Sequence, residues 1–438
     1  MTKKQKTLSF INLGCFKNIV DTEVLGGLLE QNNIKIVSSY EDSDWLVINT
    51  CGFIQDAKEE SIDEILRALE RKEKGEIKHV AVFGCLIQRY YRELKKHFKS
   101  ADIIWGVNDL GQLANLISKD QRREYDGQDL FLYTDRDPRI LTTTPNTTFI
   151  KISEGCDMSC SFCVIPRIRG PYRSRPIPSI VKEAKRYLEL GFQELNIISQ
   201  NTSFFGMDIG RKPLLPQLLK ELSPLGFKWI RVLYLMPEEV DSQILDSFGH
   251  PSILPYFDLP FQHVSPAILK GMKRGGGPGK NMQLIRRIRD RYPEAVIRSS
   301  FIVGFPGESE SDFNELVKFA EESAIERIGV FGFSAEEDTD AFALKDRVEP
   351  RLIEERKNRL MDISDINVMA YNQRILNTVQ EFLPLGPWEN YSTIGRINSQ
   401  SPEVDGLTRV NVPFKDRYDI QKITISGFQN EFIFGDVK

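Results

Sequence analysis

Three cysteines, Cys156, Cys160 and Cys163, stand at C-x3-C-x2-C spacing in KISEGCDMSCSFCVIPRIRGPYRSR, residues 151–175. The triad directly follows a strand-like run from Thr148 to Ser153, so a strand end must deliver this loop of thiols. Soft thiolates favour Fe-S clusters, zinc or Cu(I), and a zinc site wants a fourth Cys or His close by. None stands between Ile150 and Arg186. Three thiolates hold three irons of a 4Fe-4S cluster and leave the fourth open to an outside ligand, whereas electron carriers normally use four cysteines. The open iron points to chemistry rather than electron storage.

At 438 residues the chain has room for two to four domains and a sizeable core. With 41% hydrophobic and 27% charged residues it has the balance of an ordinary soluble protein, and no apolar run approaches the roughly 18 residues of a membrane span. The start, MTKKQKTLSFINLGC, is basic but its short apolar stretch reads as a strand with no cleavage-site pattern, so a cytoplasmic location is expected. Six cysteines, all within the first 163 residues, are too sparse for a disulfide scaffold and suit a reducing compartment. A net charge of -4 argues against a life spent mainly on nucleic-acid backbone.

Residues 1–135 alternate strand-like and helix-like runs: TLSFINLG with NIVDTEVLGGLLEQ, DWLVINT with AKEESIDEILRALERKE, and HVAVFG with QRYYRELKKHF. That order predicts a small parallel α/β domain. Each of these three strands ends in a cysteine, Cys15, Cys51 and Cys85. Ligands of open parallel sheets collect beyond the carboxyl ends of strands, so the three thiols are expected to converge as a second cluster site. The alternative is three unrelated buried thiols, since free Cys behaves as a small hydrophobe. Residues 136–147, rich in Pro and Thr, read as a linker.

Residues 148–374 hold six candidate strands, FIKIS, ELNIISQ, WIRVLYL, YFDLPFQ, AVIRSSFIVGF and IERIGVFGF, with helix-like runs between them. Six βα units predict a partial (β/α)6 barrel with its chemistry at the carboxyl ends of the strands. The cysteine spacing at the first such end is the signature of enzymes of the radical S-adenosylmethionine (SAM) type. Gln200, Gln262, Val303 and Gly304 lie at other strand ends as candidate SAM contacts, each otherwise a solvated loop residue. Arg298 is a candidate partner for a SAM carboxylate, its alternative being a structural ion pair. The run RGGGPGK, residues 274–280, fails the P-loop pattern, because Arg274 takes the place of the first Gly and Asn281 follows the Lys; it reads as a flexible loop before a helix. His263 reads as a packing residue, and the other three histidines have no partner pattern. Residues 375–438 form five short strand-like runs broken by Gly, Pro and Asp, which predict a small antiparallel OB-like barrel. From Gln380 to Lys438 six basic residues face eight acidic ones, so the barrel suits a basic protein partner better than RNA.

The six cysteines with GCFKNIVDTE, NTCGFIQDAKEESIDEI, FGCLIQRY, ISEGCDMSCSFCVIPRIRGPYRSRPI, LPFQH, SSFIVGFPGE and SPEVDGL resemble the methylthiotransferases, and most closely those of RimO type, over nearly the whole chain. The resemblance implies an N-terminal auxiliary cluster on Cys15, Cys51 and Cys85, a SAM-cleaving cluster on Cys156, Cys160 and Cys163, and a C-terminal TRAM barrel. It also implies the reaction: a 5'-deoxyadenosyl radical from SAM abstracts a hydrogen, sulfur is inserted from the auxiliary cluster, and a second SAM donates a methyl group. The implied substrate is an aspartate β-carbon of the twelfth small-subunit ribosomal protein, with a reductase or flavodoxin-like electron donor, no membrane and no tRNA. Two departures stand out, Phe16 where the family has Pro and Asn201-Thr202-Ser203 where it has Asp-Thr-Thr. Rival readings are the tRNA adenosine methylthiotransferase and, from another class, a non-catalytic Fe-S electron carrier or RNA-binding protein.

Overall fold

Strands β1 (Thr7–Asn12), β2 (Lys35–Ile36), β3 (Trp45–Thr50), β4 (His79–Gly84), β5 (Ile103–Ile104) and β6 (Arg123–Glu124) form one parallel sheet in the order β2-β1-β3-β4-β5-β6. The computed structural model describes residues 5–124, 131–144, 146–389, 391–415, 417–429 and 432–437. Strand β3 is buried along its whole length, and its side chains part by alternation. Trp45 and Val47 face helices Phe16–Gln31 and Leu110–Ser118, while Leu46 and Ile48 face helices Gln55–Glu73 and Cys85–His97. Both faces are therefore covered, as a parallel sheet requires.

Among its described residues the expected linker carries no helix or strand before Thr147, which already opens strand Thr147–Lys151, but it is packed tightly. The Arg139 guanidinium is buried between Glu23 of the first helix and Glu183 of helix Ile177–Glu189, and it donates 2.7 Å to the Phe149 carbonyl. A Cβ on Gly27 would sit 2.4 Å from the Pro138 carbonyl carbon, so the first helix needs a glycine where this segment crosses it.

Strands β7 (Thr147–Lys151), β8 (Ser153–Glu154), β9 (Arg173–Ser174), β10 (Glu194–Ile198), β11 (Trp229–Val232), β12 (Tyr256–Asp258), β13 (Val296–Val303) and β14 (Arg327–Gly332) build the centre. The six expected strands are β7 and β10 to β14, in two parallel sheets, β11-β10-β7 and β12-β13-β14. An isolated parallel bridge between Ile230 and Ile253 spans the seam, giving an open arc: the partial barrel. The short antiparallel pair β8–β9 flanks the cysteine loop. Helix Pro350–Ile375 packs on β14 and leads into a closed barrel of β15 (Val379–Trp388), β16 (Ser392–Ile397), β17 (Leu407–Val410), β18 (Gln421–Gln429) and β19 (Phe432–Val437), ordered β15-β16-β17-β19-β18. The barrel departs from purely antiparallel pairing at β17–β19, which run parallel, as OB-like closure allows. Asp416, Glu431 and Lys438, which enter the charge balance above, lie outside the described residues.

This barrel seats on the amino ends of the central strands. Buried Arg396 pairs with Glu194 at the start of β10, Trp229 Nε1 at the start of β11 donates 2.7 Å to Glu381, and the Tyr256 hydroxyl at the start of β12 bonds Asp405. Among the described residues no helix is long and apolar enough to cross a membrane.

Candidate functional site

Cys15 caps the first helix, Cys51 follows β3 and Cys85 opens the helix after β4, so three neighbouring carboxyl ends of one parallel sheet present the three thiols. A glycine beside each cysteine lets the segments close together. Gly14 has φ +93°, and a Cβ there would lie 3.1 Å from Cys51 Sγ. On Gly52 a Cβ would meet the Leu86 Cα at 2.7 Å, and on Gly84, at φ +113°, the Thr50 carbonyl oxygen at 2.6 Å. These three positions form a cradle that a side chain would fill.

The second triad hangs on its own loop. The Cys156 amide donates 3.2 Å to the Gly170 carbonyl, the Ser161 amide donates 3.0 Å to Met272, and Ser161 Oγ donates 2.7 Å to Gly271. Gly155, at φ +83°, leaves no room for a Cβ, which would stand 2.1 Å from the Pro171 oxygen.

All six cysteines line one cavity of about 480 Å³ between the N-terminal sheet and the partial barrel. Burial pushes the Cys85 thiol up to about 12, against the pull of Arg169, and the Cys163 thiol also to about 12, against a hydrogen bond from the Ile165 amide. Cys156 rises to about 11 for the same reason. Thiols of this kind stay protonated until a metal displaces the proton, so they suit metal ligation rather than free nucleophilic chemistry. Among the described residues no three His, Cys, Asp or Glu side chains close on a single ion position. Each triad offers three soft thiolates to the shared cavity, a donor set that fits an Fe-S cluster with one open iron.

A buried polar network joins the two triads. Arg169, at the end of helix Ile165–Arg169, reaches Asp21 at 2.6 Å, Asn18 Oδ1 at 2.9 Å and Cys85 Sγ at 3.1 Å. Lys151 bonds both Asp21 and Glu154, and Gln200 donates to the other Glu154 oxygen.

Of the residues expected to contact SAM, Gln200, Gln262 and Arg298 line the cavity. Arg298 already has carboxylate partners, donating 3.1 Å to Asp258 and standing 3.9 Å from Asp405. Val303 and Gly304 do not line the cavity. Val303 points into the core between sheet and helices, and the Gly304 amide donates 2.6 Å to Glu308. Side chains alternate along β13, so Arg298, Ser300 and Ile302 face the cavity while Phe301 and Val303 face away. Counting by two from Arg298 identifies Ser300 and Ile302.

The glycine-rich run is a loop leading into helix Pro278–Arg291, as expected, but its first residue is pinned. Arg274 is buried in the cavity wall, fork to fork with Glu238 at 2.9 and 3.1 Å, and its guanidinium faces Cys160. Lys17, Tyr234, Ser401 and Val404 also line the cavity, the last two from the C-terminal barrel. His263 packs in the core, where its Nδ1 accepts the Ser265 amide at 3.0 Å and burial lowers it to about 4. Of the departures from the family pattern, Phe16 and Ser203 find packing or hydrogen-bond partners, whereas the Oδ1 of buried Asn201 has no hydrogen-bond partner among the described residues. Phe16 stacks on Phe149 at 4.4 Å, and Thr202 and Ser203 spend their hydroxyls on the backbone of Leu233 and Met236.

Residues 7–106 match the family described as Uncharacterized protein family UPF0004, and residues 150–320 match the radical SAM superfamily. A protein of Citrifermentans bemidjiense named ribosomal protein uS12 methylthiotransferase RimO is 37% identical, with 99% of each chain covered. One of the same name from Syntrophomonas wolfei is 39% identical, covering 98% of this chain and 99% of its own. The solved radical SAM methyltransferase TsrM of Kitasatospora setae shares the fold at TM-score 0.54 and 15% identity, over 75% of this chain and 73% of that one. With its two triads, its partial barrel and relatives alike from end to end, the chain belongs to the RimO family of radical SAM methylthiotransferases.

Proposed function

We propose that the chain methylthiolates the β-carbon of an aspartate of ribosomal protein uS12, using two 4Fe-4S clusters and SAM. The observation that carries this reading is the convergence of both cysteine triads on one cavity. When bound, the clusters and SAM supply hydrogen abstraction, sulfur and a methyl group, chemistry that belongs to cofactors rather than side chains. Cys156, Cys160 and Cys163 would hold the cluster that meets SAM, and Cys15, Cys51 and Cys85 the auxiliary cluster.

The protein's own work is placement and exclusion of water. Phe16, Phe53, Leu233, Met236 and Phe333 give the cavity an apolar wall, which disfavours water there. Arg169 holds the two thiol segments in fixed relation through Asp21, Asn18 and Cys85. Gln200, fixed on Glu154, stands beside the cavity as a polar contact for SAM.

Substrate choice rests on charge. The C-terminal barrel is acidic in balance, and one of its few cations, Arg396, is spent on Glu194 and so is withheld from any phosphate. A basic ribosomal protein matches this surface better than tRNA does. A reductase or flavodoxin-like protein would supply electrons, and the reaction would take place in the cytoplasm where ribosomes are. Anaerobic reconstitution tests the cofactor half: the wild type should take up two clusters' worth of iron and sulfide. Changing Cys156, Cys160 and Cys163 to Ala should leave one cluster and no SAM cleavage, whereas changing Cys15, Cys51 and Cys85 should leave SAM cleavage without sulfur insertion.

A further inference from the structure

Four cationic side chains line the cavity: Lys17, Arg169, Arg274 and Arg298. Three have a carboxylate partner, Arg169 with Asp21 at 2.6 Å, Arg274 with Glu238 at 2.9 Å and Arg298 with Asp258 at 3.1 Å. Lys17 differs. It is 9% exposed, and among the described residues no carboxylate lies within ion-pair distance of its Nζ. Its Nζ stands over the face of Tyr234, 3.1 Å from the ring centroid, and the Cys15 thiol is also close to it. The nearest acidic groups are committed elsewhere: Asp258 accepts from Arg298 and from the Tyr234 amide at 2.9 Å, and Glu154 accepts from Lys151 and Gln200.

An ammonium carries three donors and desolvates at a cost unless an anion meets it. An aromatic face satisfies one side of the cation and leaves the donors on the other side turned to the open cavity. The backbone that carries the ring is held, since Tyr234 has φ +61° with its amide donating to Asp258 at 2.9 Å. Lys17 also stands at the right place. It is two residues from Cys15 on the N-terminal half, while Tyr234 belongs to the partial barrel, so the ammonium lies at the junction of the two halves that carry the triads.

We propose that Lys17 forms, with Tyr234 behind it, the subsite that receives the carboxylate of the substrate side chain being methylthiolated. The inference rests on the aspartate reading above and deepens it. In aspartate the β-carbon is bonded directly to the carboxyl carbon. Anchoring the carboxylate on Lys17 therefore fixes the reacting carbon one bond away, between the two triads, and a neutral amide or a nucleobase gains no such anchor. Lys17 is thus a specificity-determining residue that selects an acidic side chain.

The test compares binding of fluorescently labelled uS12 carrying either Asp or Asn at the modified position to reconstituted enzyme, by anisotropy. Wild type should bind the Asp form about tenfold or more tightly than the Asn form. Lys17→Met should bind both forms alike, Lys17→Arg should keep the preference, and iron content and SAM affinity should match wild type in both. An undiminished Asp preference in Lys17→Met overturns the subsite, as does a loss of SAM affinity in its place, which would assign the ammonium to the SAM carboxylate. Should Lys17→Met lose iron, the wild type decides alone: equal binding of Asp and Asn forms overturns the subsite while leaving uS12 the substrate. Failure of wild type to bind either form overturns the proposed function and the subsite with it.

Discussion

Arg169 Nη2 lies 3.1 Å from Cys85 Sγ, so an arginine that follows the SAM-type triad by six residues touches a thiol of the other triad. The same guanidinium holds Asp21 and Asn18 of the first helix. One side chain thereby sets the spacing between the two halves of the cavity.

Replacing Arg169 by Met leaves Asp21 buried with Lys151 as its remaining partner. Breaking a buried pair from one side costs about 3–5 kcal/mol. Thermal unfolding of Arg169→Met should fall accordingly, and reconstituted iron should drop toward one cluster. Wild-type iron and stability in this variant would refute the bridging role.

The cradle around the N-terminal thiols depends on Gly84. Its φ of +113° and the 2.6 Å approach of the Thr50 oxygen to a Cβ make Gly84→Ala both strained and crowded against backbone. A loss of about 1–3 kcal/mol is expected from strain alone. Iron analysis should show the auxiliary site impaired while SAM cleavage persists, and full occupancy of both sites would contradict this.

The alternation along β13 separates two neighbouring positions. Val303→Ala opens a core cavity and should cost about 2 kcal/mol of stability with little change in SAM affinity. Ile302→Ala should do the reverse, shifting SAM or substrate affinity at nearly unchanged stability. Denaturant melts and SAM binding on the two variants check the register.

Much of this arrangement could be read before any coordinates. Strand-end cysteines at Cys15, Cys51 and Cys85 fall where alternating βα runs place them, because periodicity and the position of a residue at a strand end are local properties. The six central strands and the five of the C-terminal barrel are legible for the same reason. What escaped is long-range. Lys17 looks like any helical surface lysine until the barrel's Tyr234 comes to cover it. Arg274 sits in a run whose glycines suggest looseness, yet Glu238, far away in sequence, clamps it. Ser401 and Val404 reach the cavity only because the C-terminal barrel docks through Arg396, Glu381 and Asp405, and no sequence pattern encodes that docking.

The docking itself titrates. Burial alone would raise the Glu194 carboxyl, but Arg396 and Arg231 hold it below its usual value. A carboxyl depressed in the folded state stabilises above its unfolded value, about 4.3, and that contribution fades as pH falls through the folded one. Wild type should therefore exceed Glu194→Gln in stability most at neutral pH, with the gap closing below about pH 4.3. Denaturant unfolding of both proteins across that range measures it, and a gap that widens on acidification would contradict the ion pair.

The central claim is tested most directly by the mass of uS12 after incubation with reconstituted enzyme, SAM and reductant, with tRNA in a parallel reaction. One methylthio group on one aspartate of uS12 and unmodified tRNA are the expected result. Unmodified uS12 alongside methylthio-adenosine in the tRNA would contradict it.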